Sequence, residues 1–230
     1  MSCILNIETS TNVCSVALSE DGACIFTQED HGGPNHGEQL GKFVDEALSF
    51  ADSHAIPVDA VAVSSGPGSY TGLRIGTSMA KGICYGADIK LIAVPTLELL
   101  CVPVLLHHDE IEDNALLVPM IDARRMAVYA QVFDRALHEI RPIQADVVDE
   151  NTYKEYLDKG PVYFFGNGAE KCMETINHPN AHLIKGIEPL AKNMLPLAEK
   201  RIALEQYEDV AYFVPMYLKD FVAKQAKPLL

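Results

Sequence analysis

Short apolar runs alternate along this chain with segments whose apolar positions recur at three and four. Ile4, Leu5 and Ile7 give a strand from Cys3 to about Thr9, closed by the turn residues Ser10, Thr11 and Asn12. A second strand spans Val13 to Leu18, and Asp21-Gly22 is a hairpin signal before a third from Ala23 to Thr27. Leu40, Phe43, Val44, Ala47 and Leu48 then mark one face of a helix from about His36 to Ser53. The run Ala60 to Val63 predicts a buried strand, broken by Gly66, Pro67 and Gly68, with a helix from Thr71 to Ala87 behind the break. A strand Leu91 to Val94 and a helix from Pro95-Thr96 to about Leu106 follow.

The acidic stretch His108 to Asn114 is the predicted boundary between a first unit, 1–108, and a second, 109–230. Beyond it the series partly repeats. Strands are expected at Leu116 to Ile121, Met126 to Phe133 and Ile140 to Val148, then a short helix at Thr152 to Leu157 with Asn151 as its cap. A buried strand Val162 to Phe165 ends in Gly166-Asn167-Gly168, and helices follow at Ala169 to Ile176 and Leu190 to Tyr207. Three strands, then helices and strands in alternation, twice over, predict an α/β protein with mixed sheets and flanking helices. The order resembles the duplicated ribonuclease-H-like halves of the actin-like (ASKHA) class shared by actin, hexokinase and the heat-shock ATPases, a likeness of fold alone.

Composition changes this picture little and charge changes it more. Hydrophobic content of 48% and charged content of 22% belong to a soluble globular chain. The net charge of −14 argues against holding nucleic acid unaided, since phosphate repels an acidic surface. No apolar run reaches the ~18 residues a membrane span needs, and no leader pattern opens the chain. The six cysteines form no Cys-x-x-Cys pair and read as reduced core residues, so a cytoplasmic location is expected.

Candidate chemistry gathers at two places. Strand, glycine turn and helix around Gly66 and Gly68 would set a helix N-terminus beside the end of a parallel strand, where an anion is favoured. Neither the dinucleotide fingerprint nor the phosphate-loop motif is met, however, so an anion cradle and a tight packing turn both stand. Glu8, Thr9, Ser10 and Thr11 end the first strand and could form a second phosphate-facing loop. The other place is the helix after the glycines. Gly72, Leu73, Ile75, Gly76, Met79, Ala80 and Ile83 are apolar or small around most of its circumference. Gly72, Gly76 and Ala80 lie four apart, a ridge that another backbone can approach, and Phe43 and Ala47 of the preceding helix could share the surface. On that reading Gly76→Arg or Ile83→Glu leaves the fold intact and abolishes pairing. His31 with His36, and His107-His108, are read as solvated loop residues rather than metal ligands. Ser64, Ser65 and Ser69 form no nucleophile elbow. Arg124 and Arg125 sit at a hairpin turn, either paired with Asp122 or free to meet a partner's carboxylates or an RNA phosphate.

Four stretches resemble one known family. Ile4 to Thr11, Ser64 to Gly76, Val94-Pro95-Thr96-Leu97-Glu98 and Asp122-Ala123-Arg124-Arg125 are similar, in this order, to the signatures of the TsaB (YeaZ) family of tRNA threonylcarbamoyladenosine biosynthesis. The likeness covers the first ~130 residues well. It implies a subunit that does not itself modify tRNA but dimerises with the paralogous transferase TsaD, with a small ATPase, TsaE, completing the complex. It implies tRNA contact only through that complex and self-pairing when the partner is absent. No cofactor is required on this reading, with ATP or ADP only at a subunit boundary. The paralogue binds a metal through two histidines four apart, and here Thr96 and Leu100 stand at the matching positions. The competing expectation is an ATP- or phosphate-handling enzyme that uses Glu8 to Thr11 and the glycine loop.

Overall fold

The structure, a computed structural model, describes residues 2–33 and 35–218. Five strands, β1 (Cys3–Glu8), β2 (Cys14–Glu20), β3 (Ala23–Asp30), β4 (Ala60–Ser64) and β5 (Lys90–Val94), form one sheet in the order β3-β2-β1-β4-β5. Pairing is antiparallel along β3-β2-β1 and parallel along β1-β4-β5. A second sheet repeats that order with β6 (Leu116–Asp122), β7 (Ala127–Phe133), β8 (Glu139–Val147), β9 (Val162–Phe165) and β10 (Ala181–Ile184), running β8-β7-β6-β9-β10. The chain is therefore a duplicated ribonuclease-H-like fold of the actin-like class. The strand β10 carries no alternation of its own and is absent from the sequence reading. It is recognised only as the partner that β9 accepts in parallel register, Ala181 against Val162.

Strands β1, β4 and β5 are buried on both faces, as parallel strands covered by helices must be. Leu5, Ile7, Val61 and Val63 face α1 (His36–Ser53) and α2 (Tyr70–Ala87), which contribute Leu40, Phe43, Ala47, Ala80 and Cys84 to one core. Their neighbours Ile4, Ala60, Ala62, Ile92 and Val94 point the other way. Part of that face is covered by α3 (Thr96–His107). This helix is apolar on all sides because it lies between the sheets: Leu99 and Val102 meet the first, and Leu97, Leu100 and Cys101 meet Leu117, Ile121 and Phe165 of the second.

The rest of the cover comes from far along the chain. A 3-10 turn (Ala191–Met194) and α6 (Leu195–Ala203) place Met194, Leu197 and Ala198 on Ile4, Ala62 and Val94. The following segment bridges Leu91 with Glu208, buries Phe213 in the first core and donates Met216 N–H to Ser65 O at 2.8 Å. Residues 191–217 thus pack on the first unit, whereas the sequence reading assigned everything from 109 onward to the second. The expected helix from Leu190 to Tyr207 is shorter too, since Pro196 sits at its start. In the second unit α4 (Lys154–Leu157) and α5 (Ala169–Cys172) are single turns. The first is preceded by Tyr153 rather than capped by Asn151, and the second stops short of Ile176.

Candidate functional site

Glu8 ends β1, and the loop 9–12 that follows lies directly under the start of α2. Ser69 caps that helix, accepting the Gly72 N–H at 3.2 Å, while its own N–H donates to Ser10 O at 2.7 Å. The Thr9 hydroxyl donates to Gly72 O at 2.8 Å. A methyl group on Gly72 would overlap the carbonyl oxygen of Thr9, one on Gly68 the carbonyl oxygen of Ser10, and one on Gly76 the Thr9 hydroxyl. Gly66, at φ +99°, is covered by the Met216 carbonyl, 2.7 Å from where a Cβ would stand. These glycines exist so that two loops of the same subunit can touch. At the helix start the Ser69, Gly72 and Leu73 amides already have partners within the subunit, and the carbonyl oxygens of Thr9 and Ser10 lie against Gly72 and Gly68. For Gly68 and Gly72 these contacts favour the packing turn over the anion cradle.

Glu8 itself is fully buried. One carboxylate oxygen accepts the Ser10 N–H at 2.5 Å, and the other has no hydrogen-bond partner among the described residues. Burial raises its pKa to about 7, against the pull of the Ser10 hydrogen bonds. Its side chain is closed off from solvent. This burial has a consequence for stability. Because the folded pKa lies above the unfolded one, the unfolded chain ionises first, so stability falls as pH rises from about 4.5 to 7 and is level above that. Glu8→Gln keeps the acceptor and removes the titration. We expect it to exceed the parent's stability by about 3 kcal/mol at pH 8 and to match it near pH 4. Equal pH profiles in denaturant titrations would refute this.

Thr96 and Leu100, which the resemblance matches to the paralogue's two histidines, lie in unlike surroundings. Leu100 is buried in the apolar cluster with Leu117, Ile121 and Phe165, and Glu98 pairs with Arg201 at 2.6 Å. Thr96 offers one buried hydroxyl. No cluster of three or more potential ligands occurs among the described residues.

The second candidate place divides sharply between the two sides of α2. Gly72, Leu73, Gly76 and Ala80 face the protein's own β1 end and core, as do Phe43 and Ala47 of α1. This corrects the expectation that Gly72, Gly76 and Ala80 form an exposed ridge on a surface shared with Leu73, Phe43 and Ala47, and it means that Gly76→Arg would drive a side chain into Thr9. Ile75, Met79 and Ile83 are half-buried and point outward. With Gly37, Tyr70, Thr71, Arg74, Ser78 and Gly82 they line a groove of about 800 Å³ along α2 and the start of α1. The open ridge is made of other residues. Gly37 and Gly41 on α1, and Gly82 and Gly86 on α2, each lie four apart, and a Cβ on any of them would meet nothing within 4 Å. The sequence reading missed all four. The signal was present, since glycine inside a helix costs about 1 kcal/mol relative to alanine and calls for a reason.

In the second unit the β6–β7 turn holds Arg124 and Arg125 exposed, both at positive φ (69° and 54°). The Asp122 carboxylate pairs with Lys171 and, among the described residues, with neither guanidinium. Gly166-Asn167-Gly168 supports this turn: Asn167 Oδ1 accepts the Asp122 N–H at 2.9 Å, and Gly168 lies against the Ile121 carbonyl carbon.

Comparison with known proteins agrees with this architecture. The profile of the family described as "TsaD: tRNA N6-adenosine threonylcarbamoyltransferase" matches residues 27–227. The tRNA threonylcarbamoyladenosine biosynthesis protein TsaB of Escherichia coli is 27% identical over 98% of either chain. The Haemophilus influenzae protein of the same description is 33% identical over 55% of this chain and 51% of its own. The structure of YeaZ from Pseudomonas aeruginosa is similar with a TM-score of 0.80 at 24% identity, covering 95% of this chain and all of that one, a likeness of fold.

Proposed function

Since the chain belongs to the TsaD family and within it to the TsaB (YeaZ) group, we propose that it serves threonylcarbamoyladenosine formation in tRNA as a pairing subunit rather than as the transferase. Its mechanism is binding. The α1–α2 face docks on a TsaD-type paralogue and holds it in its competent arrangement, and the pair offers a platform to a TsaE-type ATPase. Alone, the same face pairs with a second copy. The observation that carries this reading is the set of outward-facing glycines Gly37, Gly41, Gly82 and Gly86 beside Ile75, Met79 and Ile83. Each glycine weakens its helix and packs against nothing within the subunit, so a neighbouring backbone is what they accommodate. On this reading the subunit needs no nucleotide of its own, which the close approach of the Thr9 and Ser10 carbonyl oxygens to Gly72 and Gly68 supports.

Reconstitution tests the proposal. With synthetase, TsaD-type enzyme, ATPase and tRNA present, transfer should depend on this chain, and sedimentation should show it moving with the TsaD-type enzyme. Full transfer in its absence, or turnover by this chain alone, would overturn the assignment.

A further inference from the structure

The chain carries 32 acidic residues against 18 basic ones, and three of its six arginines are paired with carboxylates. Arg135 pairs with Asp113, Arg141 with Asp146, Arg201 with Glu98, and Lys192 with Glu29. Arg74 lies over the Tyr70 ring. Among the described residues the guanidiniums of Arg124 and Arg125 meet no carboxylate. They are also held at a cost, since two consecutive residues bearing a Cβ are kept in left-handed backbone. The turn is fixed from beneath. Lys171 pairs with Asp122 and donates to Arg125 O at 2.7 Å and to Ala127 O at 2.9 Å. Asp122 Oδ1 also accepts the Arg124 N–H at 3.1 Å. The lysine's charge is neutralised within the turn, and the two arginines project from it unpaired.

From this we infer that the Arg124-Arg125 turn contacts the phosphodiester backbone of the tRNA while the chain is paired with its transferase. The inference rests on the proposed function above. Guanidinium presents a planar fork to phosphate, and such contacts position a nucleic acid without reading its sequence. An acidic subunit beside a bound polyanion repels it everywhere except where fixed positive charge faces it, and this turn supplies that charge. Met126 and Val147, which flank the tip, are exposed as well. Such apolar groups beside the arginines would suit a protein surface instead, and the test separates the two.

The test uses the reconstituted complex with Arg124→Gln/Arg125→Gln. Both positions are exposed, and glutamine is no worse than arginine in left-handed backbone, so the fold is preserved. We expect the tRNA KM to rise about tenfold near physiological salt, with kcat and assembly unchanged. We also expect the slope of log affinity against log salt to fall by about 1 to 2, as for one or two lost phosphate contacts. The Arg124→Lys/Arg125→Lys variant keeps most of the slope. Unchanged KM and slope overturn the inference, as does loss of the transferase or the ATPase from the complex, which would mark the turn as a protein contact. A wild-type chain that fails to pair at all refutes the earlier proposal, whereas a paired complex indifferent to these arginines refutes this one alone.

Discussion

Gly72→Ala is expected to lower the stability of the subunit by about 3 kcal/mol, although alanine is the better helix former. The added methyl would have to occupy the position of the Thr9 carbonyl oxygen. Neither partner can move aside. Thr9 follows a strand paired on both edges, and its hydroxyl is bonded to Gly72 O at 2.8 Å. The contrast is Gly82→Ala on the same helix, where a Cβ meets nothing within 4 Å. There the intrinsic preference acts alone and should add about 1 kcal/mol. Urea titration of the two variants beside the parent measures both signs. A Gly72→Ala protein as stable as the parent would mean that the loop and the helix are not in contact.

The largest effect on function is expected from the other side of α2. Ser78→Arg and Gly82→Arg each place a long charged side chain on the outward groove between Ile75, Met79 and Ile83. Both positions are exposed, so the thermal midpoint should stay within a few degrees of the parent. Pairing should weaken at least a hundredfold, because a close backbone approach cannot tolerate either the bulk or the buried charge. Sedimentation of the chain alone and with the TsaD-type enzyme reads this directly. Variants that still pair in both settings would remove the α2 face from the account. Gly76→Arg is unsuited to this purpose, because it strikes Thr9 and would abolish pairing by unfolding the loop.

The two glycine sets show what a sequence can and cannot disclose. Gly72, Gly76 and Ala80 have the spacing of a docking ridge, and spacing alone does not say which neighbour comes close. In this fold the neighbour is the subunit's own Thr9, because the strand end and the helix start must pass within touching distance. Gly82 and Gly86 fall outside that contact, and only the direction in which α2 faces the sheet separates the two groups. Most strands and the three long helices were legible because glycine, proline and polar turns punctuate apolar runs of the right length. The strand β10 was not, since the sequence around His182 does not alternate and its register depends wholly on β9. The return of residues 191–217 to the first sheet escaped notice for a related reason. Met194, Leu197 and Ala198 announce an apolar stripe but do not name the surface they cover. The buried state of Glu8 follows equally from tertiary closure of the loop that carries it.

That return has a bearing on how the chain is made. A ribosome delivers the five strands of the first sheet before the helix that roofs their outer face, with the whole second unit synthesised in between. Ile4, Ala62, Ile92 and Val94 must therefore wait, half-covered by α3, until Met194 and Leu197 emerge. The half born earliest is completed last, and the nascent protein carries a sticky surface through nearly half of its own synthesis.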